Sequence, residues 1–199
     1  MDIEKIKNRI INLSNTIIEN EEYLTDLDRA IGDGDHGYNM AKGFRKVKDA
    51  MNEDYRDLKT LFNKIAMTLI SNVGGASGPL YGTFFMKFAQ SLDGEISLNK
   101  DTFSKAFSDG VDGVIMRGKA QVGDKTMVDV LSPVSEALKN NLSFDQILKL
   151  AEEKMEATKD IKARKGRAAY LGERSVGHID PGAYSSFLCI KSAIGEIDG

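Results

Sequence analysis

The residues best suited to chemistry lie in one short stretch, Asp28-Arg29-Ala30-Ile31-Gly32-Asp33-Gly34-Asp35-His36-Gly37-Tyr38-Asn39. Asp33 and Asp35 flank Gly34, so a tight turn lets their carboxylates converge, and Asp28 sits on the segment leading in. Three hard oxygen donors without a cysteine suit magnesium, calcium or manganese rather than zinc. Bare, they repel one another, and a divalent cation removes that cost. The plainer alternative is a solvated acidic turn in which Asp33 or Asp35 caps the next helix. His36 fits a phosphate donor or an acid–base group, and equally a surface or capping residue.

Gly32, Gly34 and Gly37 spell G-x-G-x-x-G. The dinucleotide reading nevertheless fails, because no strand precedes the stretch and two carboxylates between the glycines would repel a pyrophosphate. An EF-hand fails as well, since the twelfth position from Asp33 is Phe44 rather than a bidentate glutamate.

Three further glycine-bearing segments accompany the acidic one. In Val73-Gly-Gly-Ala-Ser-Gly-Pro-Leu-Tyr-Gly82, glycines run into a helix start, where free N–H groups and the helix dipole suit an anion. Ser77 adds a hydroxyl; close helix packing through small residues is the competing reading. In Arg117-Gly-Lys-Ala-Gln-Val-Gly-Asp-Lys-Thr-Met127, Asp124 reads as the N-cap of the next helix. A basic residue and the Thr126 hydroxyl there could face a phosphate, and Gly118 could admit a base or ribose. Residues 159–174 carry a local net charge of +4 in a chain of net charge -3. They lead into Gly177-His-Ile-Asp-Pro-Gly182. A basic loop suits a phosphorylated ligand or an acidic partner. Fifteen of the 19 glycines fall in four clusters, 32–37, 74–82, 110–123 and 166–182, which reads as four loops closing around a ligand.

The intervening sequence is helical. Apolar residues recur at helical spacing in Ile3/Ile6/Ile10/Leu13/Ile17, Tyr23/Leu24/Leu27/Ile31, Met40/Phe44/Val47/Met51 and Leu58/Leu61/Phe62/Ile65/Leu69. The pattern continues through Phe84/Phe85/Phe88, Phe103/Phe107/Val111/Ile115, Val128/Leu131/Val134/Leu138, Ile147/Leu150/Ala151/Met155 and Tyr184/Phe187/Ile194. Ser143-Phe-Asp-Gln146 is a capping box, and Pro133 could kink its helix. The expectation is eight or nine helices, no strand, and a single domain over residues 1–199. Length, 41% hydrophobic and 29% charged residues suit a soluble globular chain. One cysteine excludes an internal disulfide. No apolar run approaches a membrane span, no signal peptide opens the chain, and net charge gives no attraction to nucleic acid. A cytoplasmic protein is expected.

Taken together, three carboxylates and ADP carry about -6, and two divalent cations return about +4, a remainder that nearby Lys and Arg offset. That is a phosphoryl-transfer site built on a helical scaffold. The segments Ile31–Gly37 with Asn39, Gly74–Pro79, Gly123–Met127, Arg164–Arg167 and Gly172–Gly182 occur in an order that resembles the nucleotide-binding subunits of bacterial dihydroxyacetone kinases driven by the phosphoenolpyruvate phosphotransferase system. The resemblance runs nearly end to end.

It implies an all-α barrel of about eight antiparallel helices, with the nucleotide site in loops at one end. Asp28, Asp33 and Asp35 match the aspartates that hold two Mg2+. His36, Gly37, Tyr38 and Asn39 match positions beside the phosphates, and Ala76 and Ser77 the glycine-rich phosphate loop. Gly118, Met127, Arg167 and Asp180-Pro181-Gly182 match further nucleotide contacts, with Thr126 beside them; Arg167 joins the aspartates in stabilising transferred charge. ADP is implied as a tightly bound cofactor. A phosphohistidine-carrying M subunit rephosphorylates it, and the γ-phosphoryl passes to dihydroxyacetone held covalently on a K subunit, a step of glycerol metabolism. A homodimer is left open; neither nucleic acid nor membrane is expected as a partner. Two other readings compete: an ATP-dependent kinase subunit with free exchange, and a nucleotide-sensing interaction module.

Overall fold

The computed structural model describes residues 1–194. Nine α-helices account for most of them: α1 Ile3–Glu19, α2 Glu21–Ile31, α3 His36–Ala50, α4 Leu58–Asn72, α5 Ser77–Gln90, α6 Lys100–Gly118, α7 Val128–Lys139, α8 Phe144–Ala157 and α9 Pro181–Ile194. Two 3-10 stretches, Thr158–Asp160 and Arg167–Ser175, lie between α8 and α9. Among the described residues there is no strand, only an isolated bridge between Asp2 and Ser97.

Local chemistry sets the boundaries. Asp2, Asp57, Asn99 and Ser143 each accept the N–H of the residue three positions on, satisfying a donor that an open helix end leaves unpaired. Ser143 and Gln146 form the full reciprocal box. Pro133 lies inside α7 without interrupting it.

The helices pack in the order α1, α3, α4, α5, α6, α7, α8, α9 and back to α1, so eight of them close a circuit, and α2 lies against α3 and α9. The predicted stripes face inward. Ile17, Leu24, Met40, Phe44, Val47, Leu58, Leu61 and Leu69 are wholly buried. An aromatic group fills one side: Phe84 meets Phe85 and Phe107 edge-on at 5.3 Å each, and Phe62 tilts on Phe88 at 4.6 Å. At one end the 51–57 and 91–99 connections meet, the Leu58 N–H donating to the Glu95 carbonyl at 2.9 Å and the amino terminus to Leu98 at 2.7 Å. The alternate connections, 32–35, 73–76, 119–127 and 158–180, gather at the other end.

The glycine expectation needs correction. Gly37, Gly78, Gly82, Gly110, Gly113, Gly118 and Gly182 are helical rather than in loops. Several serve close packing. A methyl group on Gly110 would meet the Phe84 ring at 2.8 Å, and one on Gly37 would strike the Glu21 carbonyl and Thr25.

A candidate nucleotide and metal site

α2 ends at Ile31 and α3 begins at His36, and the four residues between make the acidic turn. Gly34 takes φ +73, the left-handed conformation a side chain would resist. Gly32 passes so close to Asp28 that a methyl group there would strike its carboxylate. The turn therefore folds back over the end of α2. Oxygens of Asp28, Asp33 and Asp35 all come within 4.8 Å of one another. Asp28 is buried, at 8% exposure, whereas Asp33 and Asp35 are exposed.

Neither Asp33 nor Asp35 caps α3. Asp28 does so from the preceding helix: its Oδ2 accepts the N–H of Asp35 at 2.8 Å and that of His36 at 3.1 Å. One carboxylate thus fixes the geometry of the turn and contributes to the cluster. Burial, then the Asp33 carboxylate beside it, raises the Asp35 pKa above its ordinary value, while a hydrogen bond from Asn39 and the charge of Arg167 pull it down. Arg167 reaches Asp33 at 2.8 Å. Four charged side chains from two distant segments, three acidic and one basic, come together here. A set of hard oxygens whose mutual repulsion raises a pKa fits a divalent cation.

His36 is neither a surface residue nor a side-chain cap. Its ring is buried, with Nδ1 3.0 Å from Ser77 Oγ and Nε2 3.0 Å from Ser185 Oγ. Burial lowers its pKa to about 4, so the ring is neutral at neutral pH. Ser185 continues to Tyr81 at 2.7 Å, and Tyr81 to Ser186 at 3.0 Å. This buried chain orients the Ser77 hydroxyl at the first residue of α5. Ala76 precedes it, exposed, at the helix mouth. Asn39 packs on the glycine-rich loop, where a methyl group on Gly74 would come within 2.7 Å of its side-chain oxygen. Tyr38 points outward, 56% exposed.

The third and fourth loops meet each other. A methyl group on Gly182 would lie 3.6 Å from both the backbone nitrogen and Cβ of Met127. Asp180 accepts the Ala183 N–H at 2.7 Å, starting α9. Burial, ahead of other influences, raises its pKa to about 7. Pro181 is buried between them. Gly118 ends α6, and a methyl group there would meet Leu80 at 3.3 Å; no hydrogen bond ties it to the acidic cluster.

Two expectations for the third loop are corrected. Asp124 does not cap α7; its carboxylate accepts the Gln121 N–H at 2.9 Å, within the loop. Asp129 does the holding instead, accepting Gly123 N–H at 2.6 Å and Thr126 N–H at 2.7 Å. Thr126 Oγ1 accepts the Val128 N–H at 3.2 Å. Lys125 does not face a phosphate: it is 1% exposed and points inward. Sequence reasoning passed over Asp129, Ser185, Tyr81 and Thr158. For Asp129, its place two residues beyond Met127 was the available signal.

The chain matches the DAK2 domain over residues 30–195. It is 50% identical to a Listeria innocua protein named PEP-dependent dihydroxyacetone kinase 1, ADP-binding subunit DhaL, covering 88% of this chain and 87% of the other. It is 49% identical to the Escherichia coli ADP-binding subunit DhaL of PEP-dependent dihydroxyacetone kinase, covering 85% of each. The crystal structure of the C. freundii dihydroxyacetone kinase in complex with AMP-PNP and Mg2+ superposes with a TM-score of 0.77 at 26% identity. That similarity covers 94% of this chain and 32% of the larger one, so this chain spans about a third of that kinase. The matched span begins at the acidic turn and takes in every loop at that end of the helical circuit, and on that extent and identity the chain belongs to the DAK2 domain family.

Proposed function

We propose that this chain is the nucleotide-binding subunit of a phosphoenolpyruvate-dependent dihydroxyacetone kinase, a single domain over residues 1–199 with its site in the loops described above. The observation that carries the reading is the convergence of Asp28, Asp33 and Asp35 within 4.8 Å, opposite Arg167 and next to an open helix end. Supporting it, relatives about half identical are named as ADP-binding subunits of such kinases. The similar C. freundii structure is of a complex with AMP-PNP and Mg2+.

Asp28, Asp33 and Asp35 would hold two Mg2+ against ADP or ATP. The cations would supply charge neutralisation of the phosphate oxygens. The chain's own residues do the rest. The α5 N-terminus, with Ala76 and Ser77, presents N–H donors and a hydroxyl to the phosphates. The backbone at the start of α3, His36 to Asn39, lines the same space, and the His36 ring acts by fixing Ser77. Arg167 offsets negative charge that spreads over the phosphoryl oxygens during transfer. Gly118, Thr126, Met127 and Asp180-Pro181-Gly182 frame the remainder of the nucleotide. Among the described residues, the one trio of side chains close enough to share a cation is Asp28, Asp33 and Asp35, and these are committed to the cations, so substrate activation belongs to a partner. That partner is the K subunit holding dihydroxyacetone, and the M subunit returns phosphate to ADP.

Native mass spectrometry of the purified protein tests the reading. ADP and two metals that survive gel filtration, with ADP phosphorylated by a phosphohistidine M subunit, are expected. Free nucleotide exchange with turnover on ATP alone would replace it with an ordinary ATP-dependent kinase. Binding to a K subunit without any transfer would replace it with a sensor.

A further inference from the structure

We propose that Lys125 is a positioning residue: its ammonium group clamps the neck of the 159–177 excursion and so presents Arg167 to the aspartate cluster. Lys125 Nζ donates to the Thr158 carbonyl at 2.6 Å and to the His178 carbonyl at 2.5 Å. Those two residues bracket the excursion. One buried cation therefore holds both ends of a segment that leaves the helical circuit and returns. The Gly177 N–H closes the same neck on the Lys159 carbonyl at 2.7 Å, and the Asp180 N–H donates to Thr158 Oγ1 at 3.1 Å.

The excursion has little else to hold it. Its apolar anchor is a small cluster, Ala163 and Ala168 with Leu171, against Ile31 at the end of α2. It does not join the main core. Elsewhere it is fixed by the Arg164 N–H on the Asp124 carbonyl at 3.1 Å and by the Arg167–Asp33 ion pair at 2.8 Å. A solvent-exposed pair of that kind is worth little alone, so the neck decides where Arg167 can reach. Lys125 is placed at some backbone expense: it takes φ +62, where L side chains are rarely found. Lysine is also among the residues least often fully buried without a charged partner. Burial works against its charge, while Asp180, Asp129 and Asp160 favour it.

The inference needs the nucleotide reading only for its affinity arm. Lys125→Met keeps the length and bulk of the side chain and removes the donors. Circular dichroism first establishes that it folds. Limited trypsin digestion, with sites identified by mass spectrometry, should then show cleavage after Lys162, Arg164 and Lys165 accelerated about tenfold, cleavage elsewhere being unchanged. By calorimetry, ADP with Mg2+ should bind about tenfold more weakly, the range found when supporting residues behind ligands are removed. In an Arg167→Ala background the same substitution should change affinity less than about twofold, because the two act through one path. Wild-type cleavage rates in the excursion, or an equal affinity loss with and without Arg167, would overturn the proposal. Lys125→Gln, which removes the charge and shortens the reach to the two carbonyls, carries the same comparison if the methionine variant does not fold. If the unaltered chain binds no ADP, the functional reading fails, and the cleavage comparison still decides the clamp.

Discussion

Asp28→Asn separates the two tasks of one side chain. As a cap, Asp28 accepts two N–H groups through a single oxygen. Asparagine keeps an oxygen there, and loses only the charge-assisted part of those bonds, about 1–2 kcal/mol in total. As a member of the cluster, Asp28 stands within 4.8 Å of two other carboxylates. Each like-charge pair at that separation costs ~1 kcal/mol in a water-like medium and ~3 kcal/mol at an effective dielectric of 20. Asp33 and Asp35 are exposed, so the lower figure governs, and removing one charge relieves about 2 kcal/mol. The two effects offset each other. Without metal, the variant should therefore match the parent in urea denaturation to within about 1 kcal/mol. With ADP and saturating Mg2+, the parent should gain stability by mass action, and the variant should gain several degrees less in melting temperature. Asp28→Ala is the contrast: it strands both N–H groups at about 1–3 kcal/mol each, and should be destabilised with or without metal. A metal-free Asp28→Asn protein weaker by more than about 3 kcal/mol that still shows the parent's Mg2+-dependent shift would refute the reasoning. Asp28 would then be a cap and nothing more.

Ser77→Ala removes the Nδ1 partner of His36 and the hydroxyl at the α5 mouth; it should cost about 1 kcal/mol in denaturation and weaken ADP binding severalfold in calorimetry. Gly37→Ala would push a methyl group into the Glu21 carbonyl and Thr25, costing about 1–3 kcal/mol, read as a melting point lower by roughly 2–4 °C per kcal/mol. Asp180 has its pKa raised from 3.8 to about 7, so its protonated form favours the fold: the stabilisation is complete below pH 4 and is lost as pH rises through about 7. That displacement corresponds to about 4 kcal/mol for an enclosed group and about 2 kcal/mol after allowing for the partial exposure of Asp180. Asp180→Asn should flatten that slope, and an unchanged pH profile of unfolding between 4 and 7 would count against the burial of this carboxyl.

The helices and the aspartate cluster were legible because their signals are local. Apolar spacing, the Ser143–Gln146 box and the Asp33-Gly34-Asp35 turn each depend on neighbours within a few residues. The Asp124 expectation failed for the converse reason. Asp124 and Asp129 both sit near the start of α7, and only the course of the 119–127 loop decides which carboxylate reaches which N–H groups. The glycines failed in a related way: clustering along the chain does not tell Gly34, which needs φ +73, from Gly110, which needs room for a ring. His36 is buried through Ser185, 149 positions away, and no window of sequence contains that contact.

Lys125 and Arg167 show how far a charge count can mislead in such a site. Both were readable as cations available to a phosphate. The structure gives one to Asp33, at 67% side-chain exposure, and seals the other at 1% against two backbone carbonyls. Only the first can offset phosphoryl charge directly. The second has its donors committed to backbone, and can act on a ligand only through the segments it ties. If removing Lys125 mattered through net charge, any surface lysine near the loops would serve as well, and Lys162→Met would reproduce the loss. Lys162 pairs with Glu173 inside the exposed excursion, so its replacement should leave ADP affinity within about twofold. An equal loss from both substitutions would return the site to simple electrostatics and remove the need for any clamp.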